Sequence, residues 1–136
     1  RFKRRWPNYS QIMKYYLSLG SNINAEANII LAIEKLQKIL EKTKYSSVHQ
    51  TKAEGFEGDD FLNLVMSGDC ELSFDDLNLK LKEIEDQSGR KRDVPKFSAR
   101  TLDIDIVLQI DEDEIIFESD EIEKYSFVSE PLKEIL

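Results

Sequence analysis

Residues 101–108, Thr-Leu-Asp-Ile-Asp-Ile-Val-Leu, alternate strictly between two chemistries. Leu102, Ile104, Ile106 and Leu108 fall on one side, and Thr101, Asp103, Asp105 and Val107 on the other. Period two specifies a half-buried strand. Side chains i and i+2 share a face, so Asp103 and Asp105 point the same way with Cα atoms about 7 Å apart. Immediately upstream, residues 90–100 hold five cations (Arg90, Lys91, Arg92, Lys96, Arg100) and a single acid, punctuated by Gly89 and Pro95. That composition reads as a loop.

Two carboxylates on one face suit Mg²⁺, which takes a few carboxylates and completes its shell with phosphate oxygens and water. Arginine forks match phosphate geometry. Alone, an Asp-x-Asp on an amphipathic strand is more often a solvated face than a metal site, because structural charge patterns are common. The adjoining cationic loop shifts the balance. The net charge of −8 argues against a general nucleic-acid binder. Residues 111–123 alone carry eight acids, so five cations within eleven residues read as focused on something small and anionic.

At 136 residues the chain suits one core. It has neither an apolar run near the roughly 18 residues of a membrane span nor a signal-peptide pattern, so a cytoplasmic protein without membrane contact is expected. The lone Cys70 excludes an intramolecular disulfide and the lone His49 a histidine-built metal site. Residues 1–12 are basic, aromatic and aperiodic; they read as a cloning remnant or an upstream extension, leaving 13–136 as a single domain.

Tyr15 to Leu19 reads as a strand ended by Gly20-Ser21-Asn22, followed by a helix from Ala25 to Glu41 with Asn24 as cap. Tyr45 to Thr51 and Phe61 to Met66 read as strands separated by a glycine-bearing loop at 52–60. On the second of these, Phe61, Asn63 and Val65 share a face. Ser73-Phe74-Asp75-Asp76 has the form of a capping box opening a second helix that Gly89 ends. After the Asp-x-Asp strand come a short strand at Glu114–Phe117, a helical turn at 120–125 and a last helical piece starting at Pro131. The order β-α-β-β-α-β predicts an α+β, ferredoxin-like antiparallel sheet with two helices on one face and a loop-covered ligand site on the other.

Arg100-Thr101-Leu102-Asp103-Ile104-Asp105-Ile106, preceded by Gly89-Arg90-Lys91-Arg92, resembles the signature of the 6-hydroxymethyl-7,8-dihydropterin pyrophosphokinases. Leu19-Gly20-Ser21-Asn22 and Phe61-Leu62-Asn63 resemble two further motifs, and the similarity runs from Tyr16 to about Ile135. The resemblance implies transfer of the β,γ-pyrophosphate of ATP to the 6-hydroxymethyl group of a dihydropterin, leaving AMP, in folate biosynthesis. It implies two Mg²⁺ ions on Asp103 and Asp105. Arg90, Arg92 and Arg100 would neutralise charge as AMP departs. Glu85, Lys96, Phe97, Ile106, Ser119 and Tyr125 join those arginines on the ATP side. Thr51, Glu54, Phe61, Asn63 and Phe127 would contact the pterin, Phe61 and Phe127 as its two aromatic faces. The loops at 52–60 and 89–100 are expected to close over ATP.

This chain departs from the family's pattern at several positions. Ser98 stands for a usual Gly, Lys52-Ala53-Glu54-Gly55 for paired prolines, Ser119 for a frequent His and Tyr125 for a frequent Arg. The chain also stops earlier than the family usually does. Two alternatives therefore stay open. One is a catalytically weakened relative that binds pterin or nucleotide without efficient transfer. The other is an RNA-binding ferredoxin-like module, disfavoured because its sheet face would carry Asp103 and Asp105. Oligomeric state is not legible, although a monomer is favoured.

Overall fold

The strands apolar on both sides are the ones buried in the middle of the sheet. The computed structural model describes residues 12–53, 58–93 and 99–136. The chain runs β1 (Met13–Ser21), α1 (Ala25–Leu36), β2 (Glu41–Tyr45), β3 (His49–Thr51), β4 (Phe61–Cys70), α2 (Phe74–Gln87), β5 (Asp103–Asp111), β6 (Glu114–Glu118), α3 (Glu121–Lys124) and α4 (Ser126–Ile135). The strands form one antiparallel sheet in the order β2-β4-β1-β5-β6, with β3 also paired to β4. This is an α+β architecture.

Two apolar layers sandwich the sheet. On one side Leu17 and Leu19 of β1, Leu64 and Met66 of β4, and Ile104 and Ile106 of β5 lie under α1 and α2. On the other, Tyr16, Val65, Val107 and Leu108 lie under Val128 and Leu132 of α4. The second face is therefore not left to loops, as the sequence suggested. Half of it belongs to a helix that begins at Ser126 rather than at Pro131. Proline favours the first helical turn, but it is tolerated here inside the helix, where the buried Val128, Pro131 and Leu132 anchor the segment.

The expected first helix is also too long. It stops at Leu36, where Lys38 N–H bonds to Lys35 O at 3.2 Å and Ile39 N–H to Leu36 O at 3.0 Å, the i→i+3 pattern of a tightening last turn. Leu40 then drops onto Gly68 of β4, and Glu41 starts β2. Asn24 does not cap with its side chain; its backbone is left-handed (φ 45°), and Asn28 Nδ2 bonds to the Ile23 carbonyl instead. The predicted strand 45–51 is two strands. Between them Ser46 bonds Val65 through its own N–H and through its hydroxyl, which accepts Val65 N–H, both at 2.9 Å. Ser73 caps α2 as predicted, its Oγ accepting Asp76 N–H.

The alternation of β5 breaks at one point. Tyr16 pairs with Leu108 but Leu17 with Ile106, so Val107 is a surplus residue, a β-bulge. Beyond it the parity reverses, and Leu108 joins the α4 side instead of the helix side expected from strict period two.

A Cβ at Gly68 would lie 2.7 Å from Leu40 Cβ and 3.2 Å from the Glu41 carbonyl. Gly68→Ala should therefore destabilise the protein by about 1–3 kcal/mol through overpacking. Urea unfolding of the variant measures it, and an unchanged midpoint would contradict this packing.

Candidate active site

The face of the sheet that α4 only half covers ends in a row of small and polar residues. Gly20 pairs with Asn63 on β4 and with Asp103 on β5; two pairs inward, on the same face, Ser18 is opposite Val65 and Asp105. Adjacent strands lie about 4.8 Å apart, so Asn63 and Asp103 flank Gly20 across roughly 10 Å. Where Tyr16, Val65 and Val107 sit, α4 closes the face. Where Gly20 sits, no side chain rises from the central strand, and the row is a floor with two unlike walls.

The first wall is neutral. Asn63 is 4 % exposed, and its Nδ2 donates to Thr51 Oγ1 at 2.8 Å. That bond turns Asn63 Oδ1 over the floor, 3.0 Å from where a Gly20 Cβ would stand. Phe61 opens β4 beside it, paired with Thr51. An acceptor, a hydroxyl and an aromatic ring make a suitable edge and face for a flat heterocycle.

The second wall is charged. Glu85 is fully buried, and its Oε2 accepts the N–H of Ile104 at 2.8 Å. This bond supplies a partner where β6, whose pairing begins at Leu108, does not reach. The same Oε2 lies 2.8 Å from Arg90 Nη1, which lies 2.8 Å from Asp103 Oδ1 as well. Arg92 Nη2 pairs with Glu85 Oε1 at 3.1 Å and Asp86 Oδ1 at 2.9 Å. The Asp105 carboxyl is pushed up to about 7, first by burial and then by the charge of Asp103, with Glu121 and Glu85 adding to it and Lys82 opposing. Two crowded carboxylates beside a small-residue floor have the oxygen chemistry a hard divalent cation takes. Among the described residues no group of three or more His, Cys, Asp or Glu is placed to hold a metal, so the rest of such a shell would come from ligand oxygens and water.

Polar ties fix the chain between the walls. Ser21 Oγ donates to Thr101 O at 2.5 Å, Ser88 and Thr101 hydroxyls meet at 2.8 Å, and Asn22 bonds to Arg100. The sequence assigned no role to Asn22, Ser88, Glu121 or Lys82, and of the four only Asn22 falls in a motif singled out there. Asn22 had a signal: a polar residue directly after a buried strand, in a Gly-Ser-Asn turn.

The structure thus joins Glu85, Arg90, Arg92 and Asp103 in one network, with Asp105 beside it, and brings Thr51, Phe61 and Asn63 together opposite. Glu85 has no exposed surface and turns both oxygens toward protein cations, so its place is beneath the site. Ile106, assigned to the ATP side by resemblance, has its side chain 6 % exposed in the core under the helices, on the face opposite Asp105 as period two requires. Ser119 continues the β5–β6 pairing through its N–H to Val107 O, and its hydroxyl accepts Glu121 N–H. Tyr125 and Phe127 stack on each other with ring centroids 4.8 Å apart, so one face of Phe127 is already taken. Glu54, Lys96 and Phe97 lie outside the described residues, as do Ser98 and residues 1–11.

Comparison with known proteins points to one family. Residues 16–136 match the family model described as 7,8-dihydro-6-hydroxymethylpterin-pyrophosphokinase. A 2-amino-4-hydroxy-6-hydroxymethyldihydropteridine pyrophosphokinase of Aquifex aeolicus is 46% identical over 99 residues, 71% of this chain and 61% of that protein. The Haemophilus influenzae protein of the same name is 35% identical over 97 residues, 68% of this chain and 60% of that protein. A folate synthesis bifunctional protein of Chlamydia muridarum is 36% identical over 104 residues, covering 71% of this chain but 23% of the relative. The matched region thus spans about three fifths of the two pyrophosphokinases and under a quarter of the bifunctional protein.

The raised Asp105 pKa has a stability consequence. Between about pH 4 and pH 7 the folded state keeps a proton that the unfolded chain has released, so this residue's contribution falls as pH rises through that window. Measured without divalent cations, Asp105→Asn should gain stability over the native chain from pH 4 to 7, by on the order of 2–4 kcal/mol, and level off above. A difference that stays flat across those pH values would show an ordinary carboxylate.

Proposed function

Because the chain belongs to the 7,8-dihydro-6-hydroxymethylpterin-pyrophosphokinase family, we propose that it transfers the β,γ-pyrophosphate of ATP to 6-hydroxymethyl-7,8-dihydropterin in folate biosynthesis. The oxygen of the hydroxymethyl group attacks the β-phosphorus. The bond to the α,β-bridging oxygen breaks, AMP leaves, and the hydroxyl proton is released. The observation that carries this reading is the single row Asn63–Gly20–Asp103. A neutral wall and a charged wall on either side of a bare glycine support a heterocycle on one side and phosphates on the other, close enough to react.

In this reading Asn63 Oδ1 accepts from the donor edge of the pterin ring and Thr51 holds that amide in orientation. Phe61 supplies the stacking face. On the other wall Asp103 and Asp105 would hold Mg²⁺, two ions by the resemblance, and the oxygen-rich donor set and mutual repulsion of the pair suit that role. When bound, Mg²⁺ neutralises triphosphate charge and fixes its oxygens. Arg90 and Arg92 exchange carboxylate partners for phosphate oxygens while Glu85 keeps them anchored. Arg100 stands at the entrance to the same wall. Phosphoryl-type transfer asks for such positioning and charge stabilisation more than for covalent participation.

The order β2-β4-β1-β5, with helices after the first and fourth strands of the chain, supports the ferredoxin-like reading of the sheet. Use of ATP as donor favours a cytoplasmic enzyme. No helix among the described residues is long and apolar enough to cross a membrane.

The decisive assay follows nucleotide products from ATP and Mg²⁺ with and without the dihydropterin. AMP, formed only with pterin and without ADP, is expected; ADP would mean an ordinary kinase. Asp103→Asn should cut turnover by about 10²–10³-fold, as loss of an electrostatic anchor does. Gly20→Ala separates the two walls. Its methyl meets Asn63 Oδ1, so pterin affinity should fall about tenfold, roughly 1.4 kcal/mol, with ATP affinity unchanged. Equal loss for both ligands in calorimetry would refute the division into walls.

A further inference from the structure

Asn22, in the turn after β1, is 4 % exposed and uses its side-chain amide in two directions. Its Nδ2 donates to the Asp59 carbonyl at 3.0 Å. Its Oδ1 accepts Arg100 N–H at 2.8 Å, and its own N–H donates to Arg100 O at 3.0 Å. Asp59 lies two residues before Phe61, where the neutral wall begins. Arg100 lies three residues before Asp103, where the charged wall begins. The amide is therefore a bridge of fixed length between the two stretches of chain that enter the two walls. Only a side chain with a donor on one arm and an acceptor on the other makes it. Aspartate keeps the acceptor and loses the donor, and serine lacks the reach and the second arm.

Resting on the reading of the walls as pterin and nucleotide sides, we propose that Asn22 is a positioning residue that couples the two substrates. It touches neither. Nucleotide bound against Arg100 and Asp103 restrains 99–101, and through the Asn22 amide it restrains 58–60. The entropy cost of ordering the pterin wall is then already met when pterin arrives. The effect is reciprocal, so pterin tightens nucleotide by the same factor. The tie differs from the neighbouring Ser88–Thr101 contact, which braces the charged wall alone.

The test measures binding of a non-hydrolysable ATP analogue with Mg²⁺, and of 6-hydroxymethyl-7,8-dihydropterin, to the full chain by calorimetry. Each ligand is titrated alone and with the other saturating. In the native protein each should tighten the other about fivefold or more, equally in both directions. Asn22→Asp should bind each ligand singly much as the native chain does, with the coupling factor near one. Ser88→Ala should retain it. A second measurement needs no variant: in the native protein, the nucleotide analogue alone should slow amide exchange at 58–60. Coupling that survives Asn22→Asp, disappears equally in Ser88→Ala, or comes without slowed exchange at 58–60 overturns the proposal. Native protein that binds both ligands independently overturns this inference alone. Native protein that binds neither overturns the functional reading beneath it.

Discussion

The charged half of the site depends on one buried carboxylate. Glu85 sits at the end of α2 with no solvent exposure, and its oxygens meet the Ile104 amide, Arg90 and Arg92. Removing one partner of a buried ion pair costs on the order of 3–5 kcal/mol, because the other charge is left uncompensated. That asymmetry makes Glu85 a fixed point. It closes the bare edge of β5, so Asp103 and Asp105 keep their pleat, and it draws the arginines of an otherwise irregular loop against the sheet. Helix, loop and strand are locked at their common corner.

The floor depends on the opposite device, an absence of side chain. Gly20 lies between Asn63 and Asp103, and a methyl there would press on the Asn63 amide oxygen. The net charge of −8 fits this layout. An acidic protein repels polyanions broadly, while Arg90, Arg92 and Arg100 gather at one end of the sheet.

Much of this was legible in the sequence because local rules and tertiary demands agree. Period two placed Asp103 and Asp105 on one face, and Ser73 announced α2. The misses occur where a distant contact overrides a local preference. Leu40 continues the apolar stripe of α1, yet it is taken by Gly68, some thirty residues on, which no helix periodicity registers. Ser46 interrupts a strand-like run because its hydroxyl finds Val65. Pro131 marked a helix start by the usual rule, whereas the buried Val128 fixes the true one upstream. The bridging role of Asn22 was unreadable for a related reason: its partners, Asp59 and Arg100, come from two separate stretches of chain. In the site itself, residue identity was legible and residue pairing was not. Nothing in the order of residues tells that Arg90 already grips Asp103.

The bulge at Val107 lets one strand serve two clients of opposite parity. Upstream of it, odd-numbered residues of β5 face the candidate site and even-numbered ones fill the core beneath α1 and α2. Downstream, Leu108 turns to the helix that closes the far end of the ligand face, and Gln109 reaches Tyr15 in the main core. Straightening that bulge without removing a residue would leave the aspartates in place and invert every position after it. The seat of α4, and with it the boundary of the site, thus rests on a count of residues as much as on their chemistry.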